Sequence, residues 1–156
     1  MTAVVSLGSN LGDRALHLDA AIELLRMSYA VTGVSAYYET EPVGAEGSPR
    51  FLNAVVVVDT HDAYGLLDAA HRIEETRGRL RSRRWGPRTL DVDVVSVDSL
   101  RSDSALLTLP HPRAHERAFV LQPWLDLDKD AEIPGRGRVA DLLQRLGAAG
   151  IRRWSP

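Results

Sequence analysis

The chain has 156 residues, 44% of them hydrophobic and 26% charged, with a formal net charge of −2 and no cysteine. We therefore expect one domain over residues 1–156, and disulfide scaffolds, cysteine nucleophiles and cysteine-ligated metal sites are excluded. No signal-type segment and no apolar run near the ~20 residues of a membrane span occurs, and the charge gives no global attraction to nucleic acid. A cytoplasmic monomer without membrane or nucleic-acid partners is expected.

Hydrophobic periodicity predicts strands and one helix in the first sixty residues. Residues 3–9 are typical of a buried strand, and apolar residues then recur every three or four positions, as on one face of a helix. Asn10 is placed to cap this helix, with Asp13 in its first turn. Two further strands are predicted at residues 31–40 and 51–59, with a loop rich in proline and glycine between them.

A second helix, another strand and a longer tail follow. Asp62 is placed to cap a helix that ends at Gly78, and residues 90–97 are typical of a strand. The order β-α-β-β-α-β predicts an α+β, ferredoxin-like core with an antiparallel sheet and helices on one face. Beyond it we expect an irregular C-terminal extension with short helices at residues 115–125 and 139–146.

Two aspartates alternate within the last predicted strand of the core. Asp91 and Asp93 point to the same face, because side chains alternate across a strand. Two carboxylates ~7 Å apart repel each other unless a cation lies between them, and oxygen ligands of this kind suit Mg²⁺. The alternative is that both aspartates lie on a solvated face of the sheet, and the pair alone does not decide between the two.

An arginine-rich segment comes directly before this pair. Lys129 is the only lysine among 19 Lys and Arg residues, and seven arginines fall between positions 72 and 88. Arginine binds phosphate oxygens through two parallel hydrogen bonds. A cationic loop next to two carboxylates that suit Mg²⁺ favours polyphosphate binding, with Trp85 as a flat apolar surface beside the arginines. A solvated basic loop is the alternative.

Other candidate motifs are less decisive. Residues 8–13 (GSNLGD) form no Walker A loop, because the required lysine is missing, and a strand-to-helix turn of small residues explains them better. His111 and His115 have no evident third ligand, so single-residue roles are favoured over a zinc site. Phe51 and Asn53 share a strand face, where a ring and an amide suit a heterocycle, although burial in the core is the commoner fate of phenylalanine.

Six sequence blocks together resemble the 6-hydroxymethyl-7,8-dihydropterin pyrophosphokinase family of folate biosynthesis. They are LGSNLGD (7–13), YETEPVG (38–44), PRFLNAVV (49–56), RIEETRGRLR (72–81), RWGPRTLDVDVV (84–95) and LPHPRAHERAFVLQPW (109–124). The resemblance covers about residues 3–135, and RWGPRTLDVD is its most specific part. It implies a kinase that transfers the β,γ-pyrophosphoryl group of ATP to the pterin hydroxymethyl oxygen. ATP would be the co-substrate, AMP the released nucleotide and Mg²⁺ the cofactor, as two ions.

The same resemblance implies roles for individual residues. Asp91 and Asp93 would hold both metal ions and, with Arg79 and Arg88, form the catalytic set. The pterin would contact Thr40, Val43, Phe51, Asn53, Trp85 and Phe119. The nucleotide would contact His71, Glu74, Arg81, Arg84, Trp85, Arg88, Thr108, His111 and Arg117.

The chain departs from the family pattern at several positions. His71 stands where many members have a glutamine near the adenine, and Phe51 and Pro112 stand where some members have tyrosine. Residues 136–156 match weakly, and no function is assigned to them.

Three other functions agree less well with these residues. A nucleic-acid-binding module on the same fold predicts a central strand rich in glycine and aromatic residues, whereas the strands here read VVVV and DVDVV. An inactive scaffold gives no reason to keep two carboxylates beside a cationic loop, and a pterin aldolase needs no such pair. The identity of the nucleotide product separates a pyrophosphokinase from all three.

Overall fold

A computed structural model describes residues 1–41, 49–78, 89–147 and 150–156. Its first part contains β1 (Thr2–Ser9), α1 (Arg14–Ser28), β2 (Ala30–Val34), β3 (Tyr38–Thr40), β4 (Phe51–Asp59), α2 (Ala63–Thr76) and β5 (Asp91–Val97). The elements that follow are β6 (Ser102–Asp103), β7 (Thr108–Leu109), a 3-10 turn (Ala114–Glu116), α3 (Ala118–Leu127), β8 (Glu132–Ile133), β9 (Gly137–Arg138), α4 (Val139–Leu146) and β10 (Ile151–Arg153). Within the described ranges, no helix is long and apolar enough to cross a membrane.

The two long helices begin at aspartate caps. The side chains of Asp13 and Asp62 accept hydrogen bonds from the first turn of α1 (3.2 Å) and of α2 (2.9 Å), respectively. The prediction for Asp62 is confirmed, whereas the prediction that Asn10 caps the first helix is wrong. Gly12, with a φ of 72°, makes a turn before the helix, so that α1 begins only at Arg14.

The central sheet is antiparallel, and β1 lies in its interior. The order is β10-β3-β4-β1-β5, and β2 also pairs with β4. Since β2 and β3 lie end to end along β4, the single strand predicted at residues 31–40 is interrupted at residues 35–37. Counted as one strand, β2 and β3 form the second strand of a βαββαβ core, whose first, third and fourth strands are β1, β4 and β5. Across the sheet these core strands follow the order fourth, first, third, second, which confirms the ferredoxin-like fold.

The sheet separates two hydrophobic cores. On one face α1 and α2 cover buried residues such as Val5 and Val92, which confirms the predicted layer of helices. On the other face α3 and α4 pack on Val4 and Val55. The C-terminal extension is therefore less irregular than expected: its two predicted helices are present, and they form a second helical layer.

Candidate active site

One end of the sheet face that packs on α3 and α4 carries polar residues instead of valines. In the strand register, Gly8 of β1 pairs with Asn53 of β4 on one side and with Asp91 of β5 on the other. Ser6 likewise pairs with Asp93. Because neighbouring strands lie about 4.8 Å apart, the backbones of Asn53 and Asp91 are about 10 Å apart across Gly8. The sheet thus brings a predicted pterin contact and the predicted metal ligands onto one surface.

Asp91 and Asp93 present carboxylate oxygens on this surface. Both residues are half-buried, and Val92 between them points into the opposite core. Burial lowers the pKa of the Arg117 guanidinium, and the nearby Asp93 and Asp91 carboxylates act in the opposite direction. The two carboxylates fit Mg²⁺, which takes one or two protein carboxylates and completes its shell with water and phosphate oxygens. In the described part of the chain, no cluster of three or more His, Cys, Asp or Glu suits a metal ion.

The segment between β7 and α3 places His111 and two arginines near this edge of the sheet. The His111 amide donates a hydrogen bond to the Val95 carbonyl (2.8 Å), which holds the segment against β5. Burial, followed by the charges of Arg117 and Arg113, lowers the pKa of His111 to about 4. The imidazole Nδ1 accepts a hydrogen bond from the Arg113 amide (3.2 Å). His111 is therefore neutral at pH 7, and arginine supplies the positive charge of this segment.

Thr40 and Asn53 form a buried polar pair on the other side of Gly8. The Asn53 amide nitrogen donates to Thr40 Oγ1 (2.9 Å), and the two residues are 2% (Asn53) and 8% (Thr40) exposed. This bond orients the amide, whose Oδ1 lies 3.0 Å from the point that a β-carbon at Gly8 would occupy. Phe51 Cδ1 lies 3.7 Å from the same point. An oriented amide next to an aromatic ring is suited to binding the edge and the face of a heterocycle.

The two side chains predicted to stack on the pterin are both half-buried. Phe51 begins β4, two residues before Asn53. Phe119 lies in the first turn of α3 and packs against the second core, with the Arg117 guanidinium 5.5 Å from its ring centre. Their arrangement around a pterin remains a prediction.

Residues predicted to contact the nucleotide lie in different environments. Glu74 is 2% exposed, and its Oε2 accepts a hydrogen bond from the amide of Val92 (3.0 Å). Val92 is the residue between the two aspartates in the sequence. His71 is half-buried on α2. Thr108 is exposed, and its hydroxyl donates to the Ser104 carbonyl (3.1 Å). The geometry gives Glu74 a part in holding β5 in place, and nucleotide contacts of all three remain predictions.

Six predicted site residues lie outside the described residues. They are Val43, Arg79, Arg81, Arg84, Trp85 and Arg88. Their assignment to the pterin, the nucleotide or the catalytic set therefore depends on the sequence alone.

Gly8 has a part in the site that the sequence pattern does not indicate. The small residues at 8–13 predict a strand-to-helix turn, but Gly8 lies within β1, and the turn glycine is Gly12. A small residue is needed at position 8 because Asn53 lies next to it in the register. Alternation along the predicted strand places Gly8 on one face of the sheet, but only the pairing of β1 with β4 reveals its neighbour.

The chain resembles known proteins in sequence over most of its length. Residues 4–129 match the model of a family described as 7,8-dihydro-6-hydroxymethylpterin-pyrophosphokinase (HPPK). A protein of Mycobacterium leprae (strain TN) named 2-amino-4-hydroxy-6-hydroxymethyldihydropteridine pyrophosphokinase is 48% identical, over 94% of this chain and 82% of the relative. A Bacillus subtilis (strain 168) protein of the same name is 39% identical, over 97% of this chain and 89% of the relative.

The fold also matches solved structures. The HPPK-DHPS protein of Plasmodium falciparum, solved as wild type with SDX-DHP, matches with a TM-score of 0.67 over 92% of this chain. The two are 16% identical and this chain spans 43% of that protein, so the likeness concerns the fold of one part of it. The family-model match and the curated relatives carry the assignment further: the chain belongs to the 7,8-dihydro-6-hydroxymethylpterin-pyrophosphokinase family.

Proposed function

We propose that the protein transfers the pyrophosphoryl group of ATP to 6-hydroxymethyl-7,8-dihydropterin in folate biosynthesis. The hydroxymethyl oxygen bonds to the β-phosphorus of ATP, and the bond from that phosphorus to the oxygen bridging the α-phosphate breaks. AMP leaves, the hydroxyl proton is released, and the second product is the pterin diphosphate. We further propose that residues 1–156 act as a single-domain monomer in the cytoplasm.

One observation of the structure supports this proposal most strongly. The buried Thr40–Asn53 pair and the Asp91 and Asp93 carboxylates lie on the same sheet face, on opposite sides of Gly8. A transfer between two bound substrates needs such an arrangement, because the acceptor oxygen must lie in line with the bond that breaks.

The described residues form two groups, one for the pterin and one for the nucleotide. Asn53, oriented by Thr40, would bind the polar edge of the pterin, and Phe51 and Phe119 would bind its faces. Asp91 and Asp93 would hold two Mg²⁺ ions, which supply neutralisation of the negative charge on the polyphosphate. Arg117 would add a fixed positive charge on the nucleotide side.

Further contacts are proposed from the family resemblance. His71, Glu74, Thr108 and His111 are assigned to the nucleotide, with Arg79, Arg81, Arg84, Trp85 and Arg88 from the arginine-rich segment. Val43 and Trp85 are assigned to the pterin. Arginine side chains are suited to nucleotide binding, because one guanidinium forms two parallel hydrogen bonds to phosphate oxygens.

The nucleotide product tests this function. The protein is incubated with ATP, Mg²⁺ and 6-hydroxymethyl-7,8-dihydropterin, and the nucleotides are separated by chromatography. We expect AMP, formed only when pterin is present and suppressed by EDTA. ADP as the product would show a transfer of one phosphoryl group and would contradict the proposal.

A further inference from the structure

Three arginines surround the Glu39 carboxylate on the side of β3 that faces away from the candidate site. Arg14 Nη2 lies 2.7 Å from Glu39 Oε2, and Arg152 Nη2 (2.7 Å) and Arg50 Nη1 (3.3 Å) lie next to Oε1. The Glu39 side chain is only 12% exposed. The hydrogen bonds from Arg152 and Arg14, and then that from Arg50, lower the pKa of Glu39 to about 2. Glu39 is therefore charged throughout the physiological pH range, and we call Arg14, Glu39, Arg50 and Arg152 the Glu39 cluster.

The Glu39 cluster joins four separate parts of the chain. Arg14 begins α1, Glu39 lies in β3, Arg50 directly precedes β4, and Arg152 lies in β10. Arg14 Nη1 also donates to the Arg50 carbonyl (2.9 Å). The cluster thus holds the start of β4 and the end of β3 together, with the C-terminal strand added from the edge of the sheet.

Backbone and ring contacts place β10 firmly along β3. Ile151 pairs with Thr40, and the Glu41 amide donates to the Gly150 carbonyl (3.2 Å). At the other end the Trp154 amide donates to the Tyr37 carbonyl (2.8 Å), and the two rings stack with their centres 6.1 Å apart. Strand β10 therefore covers the whole length of β3.

The pterin-side residues are the immediate neighbours of this cluster along the chain. Thr40 follows Glu39, and Phe51 follows Arg50. Because side chains alternate across a strand, the cluster lies on one face of β3 and β4, and Thr40, Phe51 and Asn53 lie on the other. Any shift of β3 along β4 would move Thr40 away from the Asn53 amide that it orients.

We propose that Glu39 and Arg152 are positioning residues for pterin binding, and that β10 is thereby a functional part of the site. This inference rests on the proposed function, since it assigns the pterin to Thr40 and Asn53. β10 lies outside residues 4–129, which the family model matches, so the inference comes from the contacts of this chain alone.

Arg152→Gln and Glu39→Gln test the inference, because the first removes the guanidinium and the second removes the carboxylate charge at nearly constant side-chain size. The Arg152 side chain is 66% exposed, so its replacement leaves no cavity in the core and the variant is expected to fold. Arg138→Gln, which breaks the exposed Arg138–Asp130 pair (3.2 Å), and Glu23→Gln, which breaks the Glu23–Arg26 pair (3.6 Å), are matched controls. Affinity for 6-hydroxymethylpterin is measured by its fluorescence, and KM and kcat are measured with the dihydropterin and ATP.

We expect both cluster variants to raise the Kd and KM for the pterin about fivefold, with kcat and the KM for ATP within twofold of wild type. The double variant should bind pterin no more weakly than the weaker-binding single variant, because both changes break the same Arg152–Glu39 contact. The controls should bind pterin as wild type does.

Two results would overturn the inference, and they are distinguishable. If wild type binds pterin and both cluster variants bind it equally well, the cluster contributes only to stability, even where the melting temperature falls. If wild type itself neither binds nor converts the pterin, the proposed function is wrong and the positioning role fails with it.

Discussion

Gly8 leaves room for the Asn53 amide in the candidate site, because glycine has no side chain. It lies between Asn53 and Asp91 in the strand register, and a β-carbon there would lie 3.0 Å from Asn53 Oδ1. The side-chain amide of Asn53 cannot easily move aside, because it is buried and its nitrogen donates a hydrogen bond to Thr40. A methyl group at position 8 therefore acts mainly on the orientation of Asn53.

Gly8→Ala is expected to weaken pterin binding about tenfold and to lower the free energy of unfolding by about 1–2 kcal/mol, because it overpacks this position. Gly33→Ala in β2 is the matched control, since its β-carbon would meet Leu127 at an ordinary 3.5 Å. Pterin titration and urea unfolding measure both effects. Normal pterin binding by Gly8→Ala would show that Asn53 has room to adjust and would contradict this prediction.

Asp91→Asn and Asp93→Asn should each lower kcat by about 10²–10³-fold, because each removes a charge that stabilises the transferring group and its metal ions. Pterin affinity without nucleotide should change little, since Asp91 lies on the far side of Gly8 from Asn53. Asp103→Asn, at an exposed position in β6, is the control. Turnover close to wild type in both variants at saturating Mg²⁺ would rule out the metal role.

His111 gives the protein a pH-dependent stability. Its pKa is lowered from 6.5 to about 4 by burial and by Arg117 and Arg113, so the unfolded chain binds a proton more readily than the folded one. The free energy of unfolding should therefore fall as the pH drops from about 6.5 towards 4, by about 1 kcal/mol between pH 7 and pH 5 for this half-buried group. The His111→Gln variant should lose this contribution to the decrease in the free energy of unfolding. His61→Gln, at an exposed position, should keep it. Parallel pH curves for wild type and His111→Gln would contradict the assignment.

At the scale of elements, Ser35 explains why the predicted strand at residues 31–40 is interrupted without loss of hydrogen bonds. The Ser35 amide donates to the Val55 carbonyl (2.9 Å), and its hydroxyl accepts from the Val55 amide (2.9 Å). A side chain thus replaces one backbone partner of β4, and the chain changes its register between β2 and β3.

Ser35→Ala leaves the buried Val55 amide without this partner. We expect the free energy of unfolding to fall by about 1–3 kcal/mol, the cost of an unsatisfied buried donor. Ser28→Ala, at the exposed end of α1, should have no such effect. Urea unfolding of both variants checks this, and equal stability would mean that another acceptor replaces the serine.

Most elements were predictable because their signals are local. Apolar spacing identified α1, α2 and α4, and β-branched runs identified β1, β4 and β5. The cap of α1 was misplaced because Asn10 and Asp13 are both good caps, and the choice depends on the turn at Gly12. The interruption at Ser35 was not predictable, since it depends on a contact with a strand twenty residues away.

At the scale of the whole molecule, the site depends on pairings between distant strands. The aspartate pair and the Phe51–Asn53 face were evident from alternation within single strands, but their meeting across Gly8 follows from the placement of β1 between β4 and β5. The resemblance in sequence supplied the roles of these residues, which periodicity does not give. The Glu39 cluster had no sequence signal, because its members come from four distant segments.

The proposed reaction transfers a pyrophosphoryl group from one substrate bound on this surface to another. ATP labelled at its β-phosphate, supplied with Mg²⁺ and 6-hydroxymethyl-7,8-dihydropterin, tests it most directly, because the β-phosphate must change molecules in the proposed reaction. We predict that the label appears in the pterin product, in a one-to-one ratio to the AMP released. Label that remains in a nucleotide, or that is released as free pyrophosphate, would rule out the proposed transfer.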